Sequence, residues 1–261
     1  MNTVTRPILN FSTQGIHSGP WVVLSHALGC DTSMYDEVAA NLARDHHVLC
    51  YDHRGHGKSQ ASGPFSIEDL ADDAAALITK KCAGQPVVFA GVSLGGMTAQ
   101  ALAARHPQLL RGIVVANSAQ VYDDAAKATW PARIHAVQTQ GMAAVLDGAI
   151  ERWFSAEFRA QHPHTIAKAR AVLAACNAQN YALTCAAVMQ VNTQASNPQI
   201  RCKALVVDGA QDQATPPAMS DAIAQTIPGA QRASLQTGHL GATEDAAGFA
   251  NLVRQFTLTL P

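Results

Sequence analysis

From position 86 the chain reads Pro86-Val87-Val88-Phe89-Ala90-Gly91-Val92-Ser93-Leu94-Gly95-Gly96-Met97. An apolar β-type run meets a helix-forming stretch there with almost no chain between them. The Gly91-x-Ser93-x-Gly95 pattern at that junction constrains both fold and chemistry. A serine forced into a tight strand-to-helix turn needs neighbours without a Cβ, so that strand and helix can pass close to it. Such a turn lifts the serine Oγ clear of the sheet. It also sets the first N–H groups of the next helix beside that oxygen, where developing negative charge is stabilised. The competing reading is a glycine-rich loop with an incidental serine, and the rest of the chain decides between them.

Other parts of the chain supply the alternation that an α/β sheet requires. Trp21 to Ser25, Val48 to Tyr51, Val87 to Ala90, Ile113 to Ala116 and Ala204 to Val207 are near-continuous apolar runs, as buried parallel strands are. Helical patterns lie between them. Ser66 with Asp69 has capping-box spacing, and Ile67, Leu70, Ala71, Ala74, Leu77 and Ile78 then repeat along one helix face. The helix after Ser93 ends before Pro107. From 119 to 197 the pattern is helical throughout, with Trp130, Ile134, Val137, Met142, Val145, Leu146, Ile150, Trp153 and Phe154 at helical spacing. The expected organisation is a core of 1–118 and 198–261, with 119–197 inserted as a helical cap over the active-site edge of the sheet.

A chain of 261 residues is ample for one such domain. A net charge of -1, with 14% charged residues and no basic cluster, speaks against nucleic-acid binding. Cysteines 30, 50, 82, 176, 185 and 202 form no C-x-x-C pair, so neither a metal site nor a disulfide framework is expected. Met1 to Arg6 lack the apolar centre of a signal peptide, and no apolar run reaches membrane-span length. These features predict a cytoplasmic protein with no membrane partner.

A serine is a weak nucleophile until a base takes its proton and a third group orients that base. Beyond Ser93 the acid is expected after a late strand. Val206-Val207-Asp208-Gly209-Ala210-Gln211-Asp212 offers two candidates, of which Asp212, in the turn rather than the strand end, is preferred. The position after the earlier strand holds Asn117. Of the eleven histidines, His239 alone follows the last strand-like run and precedes the last helix. Oxyanion donors are expected from the backbone N–H of Leu94 and from the loop Ser25-His26-Ala27-Leu28-Gly29-Cys30, with Leu28 N–H the choice there. His26 either braces this loop or touches substrate. The Asp52-to-Ser59 stretch is read as a tight loop in which Asp52 and Arg54 hold neighbouring backbone.

With these residues placed, the chain resembles the α/β-hydrolase superfamily over nearly its whole length. The resemblance rests on D-x-R-G-x-G-x-S at 52–59, G-x-S-x-G-G at 91–96, G-x-x-D at 209–212 and Gly238-His239. A narrower resemblance is to 3-oxoadipate enol-lactonases. It is carried by Ser25 to Ser59, Leu94 to Thr98, Asn117-Ser118-Ala119 and the cap residues Trp130, Arg133, Gly141-Met142 and Arg152-Trp153-Phe154. Two departures lie near the site. His26-Ala27 stand where those enzymes tend to have Asn-Ser, and Gly241-Ala242 stand in place of a polar pair, giving an expected less polar rim.

The resemblance implies a mostly parallel sheet flanked by helices, no cofactor, and a small ester or lactone as the partner. It also implies a substrate carboxylate, for which Arg133 is the candidate, with Trp130 walling the pocket. Arg133 as a solvated surface charge is the alternative. Two other functions stay open: an esterase or lactonase for small uncharged substrates, and a small-molecule signalling receptor.

Overall fold

The computed structural model describes residues 7–61 and 63–261. Met1 to Arg6, on which the signal-peptide reading rests, lie outside the described residues. The chain opens with strands β1 (Phe11–Gly15) and β2 (Trp21–Ser25), helix α1 (Asp36–Leu42) and strand β3 (His47–Tyr51). Helix α2 (Ile67–Lys81), strand β4 (Val87–Val92), helix α3 (Leu94–Arg105) and strand β5 (Leu110–Ala116) follow. Next come the helices α4 (Asp124–Lys127), α5 (Trp130–Gln140), α6 (Leu146–Trp153), α7 (Ala156–Gln161), α8 (Pro163–Ala174) and α9 (Ala178–Met189). The last part holds β6 (Lys203–Gly209), α10 (Pro217–Thr226), β7 (Gln231–Leu235), α11 (Gly241–Glu244) and α12 (Ala246–Leu258).

The strands form one seven-stranded sheet in the order β1-β3-β2-β4-β5-β6-β7. All neighbours are parallel except β1, which runs antiparallel to β3. Continuous apolar sequence has the expected meaning here: every residue of β3 and β4 is buried. The edge strands differ. In β1 the residues after Phe11 are exposed, and β7 is largely exposed or half-buried. Neither edge needs an apolar run, which is why β1, reading Phe-Ser-Thr-Gln-Gly, gives no strand signal.

Ser66 caps α2 as its spacing predicts: Asp69 N–H donates to Ser66 Oγ at 3.2 Å, and Ser66 N–H donates to Asp69 Oδ2 at 2.8 Å. The helix's apolar stripe from Ile67 to Ile78 is buried. Helix α3 is buried on nearly every side from Leu94 to Ala103, as a helix under a sheet and a second helix must be. Its long buried polar residue, Gln100, is satisfied through Nε2 by Gly96 and Ala119 carbonyls and through Oε1 by Thr193 and Asn197.

Between β5 and β6 the chain is helical, with one amendment to the all-helix reading. Val121 and Asn192 form an antiparallel bridge, and Thr193 N–H donates to Gln120 O at 2.8 Å. These contacts close the two ends of the helical segment on each other. Among the described residues no helix is long and apolar enough to cross a membrane.

The 52–59 loop works as read for one residue and differently for another. Asp52 accepts from the backbone N–H of Thr32 and Lys58 and from Asn10 Nδ2. Arg54 instead crosses to α2, where Nε and Nη2 donate to Asp73 at 2.6 and 2.7 Å. The two side chains are 9% and 3% exposed. Removing one partner of so buried a pair costs far more than the pair contributes at a surface. Arg54→Met is expected to lower unfolding free energy in urea by about 3–5 kcal/mol. A loss below about 1 kcal/mol, the range of exposed pairs, would contradict the structural role.

Candidate active site

Ser93 sits at φ 56° and ψ -111°, left-handed backbone that non-glycine residues rarely occupy. The neighbouring glycines explain how it is tolerated. A Cβ on Gly91 would overlap the Gly95 carbonyl, and one on Gly95 would overlap the Ser25 carbonyl of β2. Ser93 N–H donates to Ala116 O at 2.9 Å, while its carbonyl accepts from Met97 N–H and from Ser118 Oγ. The turn is thus pinned to the end of β5 on both sides. Leu94 is the first residue of α3, so its N–H has no acceptor within the helix.

Asp212 follows β6 and His239 follows β7, and the fold brings them together. His239 Nδ1–H donates to Asp212 Oδ2 at 2.9 Å. That bond fixes the tautomer and leaves Nε2 free to accept a proton. Asp212 is saturated with donors. Oδ1 accepts from Ala214 and Thr215 N–H, and Oδ2 also accepts from Thr215 Oγ1 and Asn117 Nδ2. Burial alone would raise this carboxyl, but the charge and hydrogen bond of His239, with those of Thr215 and Asn117, hold it below its ordinary value. Asp208 is engaged elsewhere, by Arg232 and Ser234. Asn117, at φ 48° just past the end of β5, steadies Asp212 from the neighbouring strand.

A cavity of about 280 Å³ opens over these groups. Its lining includes Leu28, Ser93, Thr215 and His239 from the core, with Trp130, Arg133, Arg152 and Trp153 from α5 and α6. Arg133 lies over the Trp130 ring at 4.6 Å from its centroid. One open choice is decided and one expectation meets a different outcome. His26 does not line the cavity: it is fully buried, with Nδ1 donating to Ala27 O and Nε2 accepting from His53 N–H. Gly241 and Ala242 form no rim. The turn into α11 carries Ala242 toward a separate cavity of about 110 Å³ beside Cys30.

A profile of the alpha/beta hydrolase fold matches residues 20–246. The chain belongs to the α/β-hydrolase family. It is 32% identical over 246 residues to 3-oxoadipate enol-lactonase 2 of Acinetobacter baylyi, across 94% of this chain and 91% of that one. The crystal structure of the enol-lactonase from Burkholderia xenovorans LB400 is 34% identical, with a TM-score of 0.92 over 97% of each chain. Est816, described as an N-acyl homoserine lactone degrading enzyme, is 27% identical with a TM-score of 0.83, over 96% of this chain and 97% of that one. By this likeness the chain is an enzyme, a carboxylic ester hydrolase.

Several residues of this hydrolase's site escape sequence reasoning. Asn117 and Thr215 hold the acid, and Arg152 sits in the cavity wall although only its place in an Arg-Trp-Phe run stood out. Glu244 gave no signal at all. Its Oε1 accepts from Ser155 N–H at 2.7 Å and Gly238 N–H at 3.0 Å, while Oε2 accepts from Ser155 Oγ. One carboxylate therefore ties the His239 loop to the end of α6, and Leu240 N–H donates to Trp153 O beside it.

Under the Leu28 loop lie three buried histidines, His26, His53 and His56. His56 Nε2 accepts from Gly29 N–H at 3.1 Å. His53 Nε2 is 2.9 Å from Ser25 Oγ. Burial lowers all three, taking His56 from 6.5 to about 3. Cys30 in the same loop moves the other way: burial, then Cys176 and Asp31, push its thiol well above its ordinary value and disfavour a reactive thiolate.

The unfolded hydrolase takes a proton on each of these histidines below about 6.5, whereas the folded protein refuses it. Stability is therefore full above pH 6.5 and falls as pH drops toward 3. The expected slope is up to about 1.4 kcal/mol per pH unit for each histidine. Urea unfolding at a series of pH values reads it directly, and His56→Gln should show a shallower slope. A slope unchanged in the variant would contradict the assignment.

Proposed function

We propose that Ser93, His239 and Asp212 form the triad of an acyl-enzyme hydrolase whose substrate is 3-oxoadipate enol-lactone. The observation that carries this reading is the Asp212-gripped His239 lining one cavity with a strained Ser93 at a helix start. Similarity to enol-lactonases across nearly the whole chain supports the substrate.

In this reading Ser93 Oγ attacks the lactone carbonyl as His239 Nε2 takes its proton. The N–H groups of Leu28 and Leu94 receive the oxyanion, each such donor contributing about 3–4 kcal/mol of transition-state stabilisation. Collapse expels the ring oxygen as an enolate, which takes the proton from His239 and tautomerises to the ketone. The leaving oxygen stays tethered to the acyl group. Water, deprotonated by His239, then attacks the acyl carbonyl and releases Ser93 and a second carboxylate. Residues 119–197 serve as the cap, with Trp130 as a wall and Arg133, a planar fork, facing the substrate carboxylate. Free thiols at all six cysteines support a reducing, cytoplasmic setting.

Purified protein is expected to consume the enol-lactone, and Ser93→Ala to lower kcat by roughly 10⁴–10⁶-fold, since a triad acts as a unit. A variant keeping a tenth of the activity would remove Ser93 from the mechanism. Wild-type protein that spares the lactone yet hydrolyses 4-nitrophenyl acetate would keep the triad and discard the substrate.

A further inference from the structure

The wall of the candidate cavity has an unusual charge balance. Arg133 on α5 and Arg152 on α6 both line it, and its lining contains no Asp or Glu. Neither guanidinium has a carboxylate partner or a hydrogen bond among the described residues. Arg133 has only the Trp130 face. The other buried or half-buried arginines with an ion partner are Arg54 with Asp73, Arg232 with Asp208 and Arg254 with Asp45, while Arg159 bonds the carbonyls of Glu151 and Phe154. The two cavity arginines also sense each other. Burial and then the charge of Arg133 lower Arg152. Two half-buried cations left facing each other are an unfavourable arrangement unless an anion joins them.

We propose that Arg133 and Arg152 together form a carboxylate subsite, Arg152 being the second half of a clamp that holds one carboxylate remote from the reacting ester. The substrate side of this proposal rests on the hydrolase reading above; the binding site itself does not. Two guanidiniums on different helices fix the position of the anion as well as its charge, which one fork on a mobile stem does less well. A ring-opened product carries a carboxylate at each end. One end reaches the donors near Ser93 and the other reaches the arginines, so a short dicarboxylate mimics the product.

Glutarate is the probe, titrated calorimetrically into the full-length protein. Expected is binding by the wild type, weakened about tenfold or more in Arg152→Gln and in Arg133→Gln, with glutaramide not binding. Arg152→Lys should restore binding only in part, because an ammonium cannot share the fork geometry. Thermal melting of empty Arg152→Gln should be no lower than wild type, since the substitution relieves repulsion. Glutarate binding unchanged in Arg152→Gln, or absent in the wild type, overturns the clamp. Failure of the hydrolase reading looks different: Ser93→Ala would keep its activity while glutarate binding still depended on both arginines.

Discussion

The whole site depends on a stretch of backbone that an L-residue avoids. Holding a non-glycine residue in such a region is worth about 1–3 kcal/mol of strain, which the surroundings must impose. Here they do so through contact. Gly95 rests against the Ser25 carbonyl, Gly91 against the turn itself, and Ser118 and Ala116 hydrogen-bond the two ends of the Ser93 peptide. The strands that supply those contacts are central and buried, so the strain is borne by the most rigid part of the molecule. Everything nearer the substrate takes its position from this point, including the N–H of Leu94.

Around that fixed turn the electrostatics divide into regions with separate tasks. Asp212 accepts from four neighbours, Ala214, Thr215, Asn117 and His239, and so orients a histidine rather than solvating itself. Around the Leu28 loop, three histidines are kept neutral by burial and bond to backbone and to Ser25. The cavity lining carries Arg133 and Arg152 with no Asp or Glu. A neutral lactone ring with a charged tail fits this division, because only the tail has to find a counter-charge.

Much of this was legible in the sequence, and the exceptions have physical causes. The central strands announced themselves as apolar runs because both faces are covered. Strand β1 did not, because an edge strand with exposed polar residues has no hydrophobic pattern to show. Ser93, Asp212 and His239 were picked out by their places at strand ends, a property of chain order, and Asp212 and His239 do meet in the fold. The residues that support them were hidden: Asn117 meets Asp212 from 95 positions away and Glu244 meets Ser155 from 89, while Thr215 lies 3 from Asp212 and Glu244 lies 6 from Gly238, where short spacing carries no motif. Of the two roles open to His26 the structure shows the bracing one, and Ala242 was misplaced for the opposite reason. Sequence placed them beside the site, but a short loop can turn its side chains away from the cavity its backbone borders.

The most direct test is to treat the protein with a small excess of diisopropyl fluorophosphate and map the labelled peptides by mass spectrometry. The triad predicts one adduct per chain, on Ser93, and almost none in His239→Gln over the same time, because only the activated oxygen reacts at that rate. Labelling of another serine, or labelling of Ser93 that survives loss of His239, would contradict it.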